Sequence, residues 1–211
     1  MHKTQCFEMD LYRSNLCFLK KTTPSRKEQQ KALKKAVRKC HQNTAIVFCA
    51  TKHAVEQVAK YLDSLYPGDV LSYHSQKKGK ETELLSGNKQ IVVATSALSI
   101  GVDIKNVDLV INFNMPLSLA DYYQMAGRGG REGQHAHSIL LYNSDDYYLN
   151  RALLEDIEDP SAKEIALNRL DAMKEFCEDN KHCMVKSLLR SLGDPYEHKK
   201  CRYCTNCQKE R

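Results

Sequence analysis

The stretch Ala45-Ile46-Val47-Phe48-Cys49-Ala50-Thr51 is a continuous apolar run that ends in a hydroxyl residue. A short apolar run followed by a helix-capping residue predicts a buried strand that turns directly into a helix. The next residues support this prediction, because apolar side chains recur at helical spacing, at Val55, Val58, Ala59 and Leu62. This strand and helix form the repeating unit of an α/β fold.

The same alternation continues along the chain. Further short apolar runs predict strands at Val70–Tyr73, Ile91–Ala94, Val107–Phe113 and Ser138–Tyr142, and a helix is predicted near Leu119–Gln124. Buried strands that alternate with helices indicate βαβ units. The fold class predicted from this pattern is therefore α/β, with a parallel sheet flanked by helices.

A basic segment precedes these units. A candidate edge strand lies near residues 15–19, and Thr23-Pro24-Ser25 is a helix start signal for an amphipathic helix within Lys20–His41. We interpret the lysines of this helix as a solvated face.

Beyond Tyr142 the pattern becomes helical only. Helices are predicted at Asp145–Ile157, Pro160–Cys177 and Cys183–Leu192, with a boundary within residues 143–159. We therefore predict an α/β domain at 1–147, with 1–43 as its lead-in, and a small helical module at 148–211.

Composition sets broad limits on function. The 211 residues carry a formal net charge of +6, which fits an anionic partner such as nucleic acid without identifying one. No apolar run approaches the roughly 18 residues of a membrane span, and the first residues lack a secretory signal pattern. We expect an intracellular protein with no membrane partner, nuclear if its source is eukaryotic.

Four of the nine cysteines suggest a metal site. Cys201, Cys204 and Cys207 form a C-x-x-C-x-x-C pattern, and Cys183 lies at a predicted helix start. Such spacing lets thiolates surround one tetrahedral Zn²⁺ in a closed, structural site. A redox C-x-x-C is the alternative, but that motif normally opens a helix after a strand. Substitute ligands that remain open are His182, His198 and Cys177.

The segment Gln124-Met125-Ala126-Gly127-Arg128-Gly129-Gly130-Arg131-Glu132-Gly133 places two arginines three residues apart among glycines. On a helix, this spacing puts Arg128 and Arg131 on one face, where both can bind the same phosphate. Glycines destabilise a helix, so their number favours close approach to a ligand. The alternative is a basic helix end followed by a glycine-rich turn.

Parallel sheets bind ligands beyond the carboxyl ends of their strands. The segments expected at this edge are Thr51-Lys52, Tyr73–Ser75, Thr95–Asp103, Asn114–Leu117 and the arginine helix. Most of the unexpected polar residues of the sequence fall in these segments.

Taken in order, these motifs resemble the second RecA-like motor lobe of a superfamily 2 helicase. The helices and the Cys183, Cys201, Cys204 and Cys207 pattern make the resemblance specific to the RecQ family of ATP-dependent DNA helicases. The resemblance runs from about Leu11 to the C-terminus, and it includes Asn112–Pro116 and Asp121–Gln124.

The resemblance implies roles for individual residues at an ATP site. Arg131 and Arg128 would be arginine fingers that contact the γ-phosphate of ATP held by another lobe, with Gln124 as a helper. Gly101, Asp103 and Gly127 would lie on the nucleotide side. For Asp103, a loop cap is the alternative.

The resemblance also implies contacts with the backbone of single-stranded or forked DNA. The residues concerned are Thr51, Lys52, His74, Thr95 and Ser96. The alternatives are that Thr95 belongs to a strand-ending turn and that His74 is a hydrogen-bonded loop histidine.

Several positions depart from the family pattern. Glycine replaces the usual alanine at Gly129, Met125 replaces a glutamate and Glu132 an aspartate. The segment between His74 and Ile91 is shorter than usual and lacks a common arginine, and Ser99-Ile100-Gly101 replaces Gly-Met-Gly. These changes concern motor activity rather than the fold.

The sequence shows no Walker A motif, because Gly79-Lys80 is followed by Glu81 rather than a hydroxyl residue. Asp145-Asp146 is the nearest approach to a Walker B pair, and we interpret it as helix capping. We therefore expect a second motor lobe and zinc module of an ATP-dependent 3′ to 5′ DNA helicase, which needs a first RecA-like lobe to bind ATP and Mg²⁺. The alternatives are a non-catalytic DNA-binding remnant or regulatory module and a fragment of an RNA helicase.

Overall fold

A computed structural model of the chain describes residues 11–40, 43–75, 89–99 and 104–208. Its centre is a six-stranded sheet with the order β1-β6-β5-β2-β4-β3. Every neighbouring pair of strands is parallel. The strands are β1 (Leu16–Thr22), β2 (Thr44–Phe48), β3 (Val70–Tyr73), β4 (Ile91–Ala94), β5 (Val107–Asn112) and β6 (Ala136–Tyr142).

Helices connect and follow these strands. They are α1 (Arg26–Cys40), α2 (Lys52–Asp63), α3 (Leu119–Ala126), α4 (Asp145–Leu154), α5 (Pro160–Glu178), α6 (Met184–Ser191) and α7 (Thr205–Gln208), with a 3₁₀ turn at Ser96–Ser99. The predicted α/β class with a parallel sheet is confirmed, and so is the predicted edge strand, which is β1. Among the described residues, no helix has the length and apolar character needed to cross a membrane.

The sheet is buried on both faces, which explains why its strands are continuous apolar runs. In β5 all six residues are buried. Leu109 and Ile111 pack with α1 and α2, whereas Val107 and Val110 face the side that carries α3. The helices α1 and α3 therefore lie on opposite faces of the sheet.

The helical module packs directly on the α/β part. One apolar cluster contains Phe18 of β1, Tyr122 of α3 and Phe176 of α5, together with all four cysteines of the predicted metal site. Lys20 is buried in β1, and its ammonium donates hydrogen bonds to the carbonyls of Phe176 and Asp179. A single core thus extends across the predicted boundary at residues 143–159.

The interpretation as helix capping holds for Asn143, whose Oδ1 accepts a hydrogen bond from the Asp145 amide at 2.9 Å, but not for Asp146. The N-cap of α4 is Ser144, whose side chain makes no capping bond, while Asp146 is fully buried. The Asp146 carboxylate accepts hydrogen bonds from Asn114 Nδ2 at 2.8 Å and from the Met115 amide at 3.1 Å. It also pairs with Arg26 at 3.1 Å.

Burial raises the pKa of Asp146, and its hydrogen bond with Asn114 acts in the opposite direction. The carboxylate therefore joins α1, the loop after β5 and the start of α4.

We expect Tyr122→Ala to lower the free energy of unfolding by about 3–5 kcal/mol, as is typical for removal of a buried aromatic ring. Tyr122 is fully buried, and its ring lies 5.9 Å from that of Phe18 and 5.7 Å from that of Phe176. Urea unfolding measures the loss. The control, Tyr122→Phe, keeps both ring contacts and should change stability far less; equal effects would contradict this role of the ring.

Candidate functional site

The four predicted metal ligands come together in the fold. The sulphur atoms of Cys183, Cys201, Cys204 and Cys207 all lie within 4.8 Å of one another, and all four residues are buried. Cys183 immediately precedes α6, and the other three lie in and around the turn that leads into α7. The site therefore joins the start of α6 to the short helix α7.

Backbone amides surround these sulphur atoms. The amide of Met184 donates to Cys204 Sγ at 3.4 Å, and that of Cys201 donates to Cys183 Sγ at 3.3 Å. Contact with the Cys183 and Cys201 side chains lowers the pKa of Cys204. Four convergent cysteine side chains with N–H groups directed at their sulphur atoms fit a tetrahedral structural Zn²⁺.

The substitute ligands do not join this group. The ring of His182 is exposed and its Nδ1 lies 2.9 Å from Asp179 Oδ2, while His198 packs against the ring of Tyr196. Cys177 is buried in the core and is not one of the four clustered sulphur residues. The donor set in the described part of the chain is the four cysteines.

The predicted arginine helix is wrong. Helix α3 ends at Ala126 with Gly127 as its C-cap, and residues 128–133 form turns instead. Gly130 and Gly133 adopt positive φ angles of 64° and 88°, which side-chain-bearing residues rarely adopt. The helix therefore ends before Arg128, and the conformation of Gly130 is incompatible with a helix that continues to Arg131, so the shared helical face does not exist.

Close packing explains the glycines of this segment, which we call the arginine turn (residues 127–133). A Cβ at Gly130 would lie 2.7 Å from both Asn15 Nδ2 and Gln134 O. A Cβ at Gly129 would lie 3.1 Å from the Cβ of Ala136, so the alanine usual in the family would be tight here. The turn thus lies directly against the start of β6.

Sequence reasoning missed two residues that hold the arginine turn. Arg13 donates to the carbonyls of Gly127 and Gly130, and Asn15 Nδ2 donates to those of Gly130 and Gln134, both at 2.8 Å. Burial lowers the pKa of Arg13, and the charge of Arg131 acts in the same direction. No local motif marks these residues, because their partners lie more than a hundred positions away.

The two arginines still share one small cavity. It is lined by Ile104, Lys105, Asn106, Val107, Arg128, Arg131, Glu132 and Gln134. Arg128 is largely buried, whereas Arg131 is exposed. Gln124, also exposed, lies on the last turn of α3 and does not line this cavity.

The arginine turn does not lie at the carboxyl edge of the sheet, as was expected. The amide of Gly130 donates to the carbonyl of Val107, the first residue of β5, at 2.8 Å. After α3 the chain runs back towards the start of β6, and Gly129 and Gly130 lie against Ala136, the first residue of that strand. The cavity of Arg128 and Arg131 is therefore at the amino edge of the sheet.

The predicted DNA contacts follow three neighbouring strands at the carboxyl edge. Thr51 and Lys52 follow β2, Thr95 and Ser96 follow β4, and His74 follows β3. Lys52 and Ser96 are exposed and Thr95 is half-buried.

Thr51 and His74 have structural partners at this edge. Thr51 caps α2 by accepting a hydrogen bond from the Ala54 amide at 3.1 Å, which leaves its hydroxyl proton available to an acceptor. His74 is buried with its Nε2 2.9 Å from Glu56 Oε1, an arrangement that favours the structural alternative. Gly101 and Asp103 lie outside the described residues, as does segment 76–88.

A second cavity opens at this carboxyl edge. The Oδ1 atom of Asn112 is buried there without a hydrogen-bond partner among the described residues. Met125, which replaces the family's glutamate, also lines it, so this departure places an apolar side chain in a cavity wall. The lining is completed by Phe48, Cys49, Ala50, Ser96, Asn114, Met115, Pro116, Leu117, Asp121, Asn150 and Leu153.

Family comparisons agree with both halves of this architecture. Residues 28–133 match the helicase conserved C-terminal domain, and residues 144–208 match the RecQ zinc-binding domain. The chain belongs to the RecQ helicase family. It corresponds to the C-terminal region of a RecQ protein, and the four cysteines fall within the zinc-binding match.

Curated relatives are longer than this RecQ chain. An ATP-dependent DNA helicase of Schizosaccharomyces pombe is 32% identical over 174 residues, which cover 79% of the chain and 13% of the relative. The ATP-dependent DNA helicase RecQ of Pasteurella multocida is 33% identical over 170 residues, covering 78% and 26%. A putative ATP-dependent RNA helicase of Acanthamoeba polyphaga mimivirus is 28% identical, covering 81% and 32%.

Solved structures show the same RecA-like fold. The Escherichia coli DEAD-box protein SrmB superposes with a TM-score of 0.55 at 25% identity, over 68% of this chain and 86% of that one. A yeast DEAD-box splicing factor gives a TM-score of 0.59 at 23% identity, over 76% and 38%.

We expect the purified RecQ chain to contain about one zinc ion per molecule. The Cys204→Ser variant should lose this zinc, and its helical module should unfold, because binding of a structural zinc contributes about 10–16 kcal/mol to folding. Elemental analysis and circular dichroism measure these effects. Cys49→Ser is the control and should keep the zinc, since Cys49 lies outside the sulphur cluster, in the core between the sheet and the helices α1 and α2. A wild-type chain that stays metal-free after refolding with zinc would contradict the assignment.

Proposed function

We propose that this chain is the second motor lobe and zinc module of an ATP-dependent DNA helicase that moves 3′ to 5′. The observation that carries the proposal is the position of Arg128 and Arg131 in one cavity, on a turn that hydrogen bonds hold against a RecA-like sheet. On this proposal the protein works inside the cell, in the nucleus if its source is eukaryotic.

The proposed catalytic role is stabilisation of charge on a transferring phosphoryl group. Arg131 is exposed and its guanidinium is anchored at one end, where Nε donates to the Gly127 carbonyl at 3.3 Å. It is therefore the residue that contacts the γ-phosphate of ATP bound with Mg²⁺ on a first lobe. Arg128, being largely buried, supports the electrostatic potential of the cavity, and Gln124 assists from the end of α3.

The proposed strand contacts use the carboxyl edge. Exposed Lys52 and Ser96 and the hydroxyl of Thr51 present a cation and neutral donors along neighbouring strands. Such groups bind a phosphate backbone without reading its sequence. Because the arginine turn lies at the opposite edge, ATP chemistry and strand contact occupy separate parts of the lobe.

Two observations favour other candidates. Gly129 and Met125 depart from the family pattern inside the arginine segment, which favours a non-catalytic DNA-binding module. A viral relative is named a putative RNA helicase, which keeps an RNA strand as the alternative substrate. Comparison of DNA and RNA oligonucleotides at matched salt distinguishes these substrates.

We expect Arg131→Ala to lower DNA-stimulated ATP hydrolysis by about 10³–10⁵-fold when the chain is fused to a first RecA-like lobe from a RecQ relative. Single-turnover assays measure the loss. Arg151→Ala, at an exposed position of α4, should keep near wild-type rates. A wild-type fusion that folds and binds ATP but shows no stimulated hydrolysis would instead support the non-catalytic module.

We expect Lys52→Gln to weaken binding of a single-stranded oligonucleotide and to reduce the slope of log K against log salt by about 0.7, the value for one lost phosphate contact. Fluorescence anisotropy over a salt series measures the slope. Lys60→Gln removes the same charge from an exposed site on the same helix. If both substitutions change the slope equally, Lys52 makes no specific contact.

A further inference from the structure

The solvent side of α1 carries a row of cations. Its opposite side is buried in the core through Ala32, Leu33, Ala36 and Val37. The residues exposed on its solvent side include Lys27, Lys31, Lys34, Lys35, Arg38 and Lys39. We call these six residues the α1 basic row.

This row dominates the charge of the whole chain. Helix α1 contains seven basic residues and one carboxylate, so its excess of six equals the formal net charge of +6 for all 211 residues. The carboxylate, Glu28, pairs with Lys31 at 2.7 Å. Among the described residues, no carboxylate lies within ion-pair distance of Lys27, Lys34 or Arg38.

A solvated helix face is the simpler interpretation of lysines, but this row does not have its usual pattern. Solvated faces normally mix acidic and basic residues, which form favourable pairs at spacings of three and four. Apart from Glu28 with Lys31, the charged pairs at those spacings, such as Lys27 with Lys31 and Lys34 with Arg38, have the same sign. Like charges at these spacings destabilise a helix, and an anionic partner removes that repulsion.

The shape of the row fits the backbone of duplex DNA. From Lys27 to Arg38 the helix rises about 16 Å, a length that corresponds, along the duplex axis, to about five phosphates of each strand. Base-stacking aromatic residues are typical of single-strand sites, and α1 contains none. A straight row of cations without a stacking group therefore favours a regular phosphate backbone.

We propose that the α1 basic row is a second nucleic-acid surface, which binds the phosphate backbone of a duplex arm. It lies on the sheet face opposite α3, so it uses neither the arginine turn nor the four-cysteine site. It also uses none of the residues proposed to contact the single strand, and the two proposals can fail independently.

The test measures binding of the whole chain to a blunt 20-base-pair duplex of mixed sequence over a salt series. The test variant replaces Lys27, Lys31, Lys34, Lys35 and Arg38 with glutamine, which supports helix formation. The matched control makes the same change at five exposed cations elsewhere, at Lys60, Arg151, Arg169, Lys181 and Arg190. Both variants lose the same formal charge, and circular dichroism checks that both are folded.

We expect the α1 variant to reduce the slope of log K against log salt by about 4, as for four or five lost phosphate contacts, and the control to reduce it by less than about 1. Between about 50 and 200 mM salt, wild-type affinity should fall about 10²-fold more than that of the α1 variant.

Equal slopes for the two variants would overturn the proposal. The proposal would also fail if the wild-type chain bound polyglutamate as tightly as it binds the duplex at the same salt concentration. If Lys52→Gln weakens single-strand binding while the α1 variant binds duplex normally, only the α1 proposal fails. If the fivefold variant does not fold, the single-site variants Lys27→Gln and Lys34→Gln replace it. Each should reduce the slope of log K against log salt by about 0.9, the value for one lost phosphate contact on a duplex.

Discussion

The apolar contact between the sheet and the helical module is the constraint on which both ends of this molecule depend. Phe18, Tyr122 and Phe176 come from a strand, a sheet-packed helix and a module helix, and their rings meet in one buried cluster. The four cysteines lie in the same cluster. A metal bound there would therefore stabilise the sheet as well as the small module, and the two matched family domains form one packed unit.

The segment that leads into β1 connects the arginine turn with the helical module that carries the four cysteines. Arg13 and Asn15 hold the carbonyls of the arginine turn, and a few residues later Lys20 donates to carbonyls at the end of α5. Because all of these bonds are made from one short stretch, a shift of β1 would affect both regions. Hydrogen bonds that fix the turn would suit the proposed arginine finger, since electrostatic stabilisation requires a fixed donor.

The sequence predicted the features that depend on local pattern. Apolar runs predicted the strands because a sheet covered on both faces needs apolar residues throughout. Cysteine spacing predicted the four-cysteine cluster because the geometry of a metal site restricts how far apart its ligands lie in sequence. The arginine helix was wrong, since spacing alone ignored the positive φ of Gly130 and Gly133. The role of Arg13 was missed because its partners are distant in sequence. Asp146 was misinterpreted for the same reason, and because no local pattern indicates that a carboxylate is buried.

The outer edge of β1 has a further consequence. Among the described strands, β1 pairs with β6 alone. On its other side the Lys20 amide donates to the hydroxyl of Thr205, which donates in turn to the Lys20 carbonyl. Thr205 is the first residue of α7, the helix that contains Cys207. An uncovered edge strand offers its backbone to strands of other molecules. The cysteine module thus covers part of the outer edge of β1, and any change that displaced Thr205 would expose the Lys20 backbone at that edge.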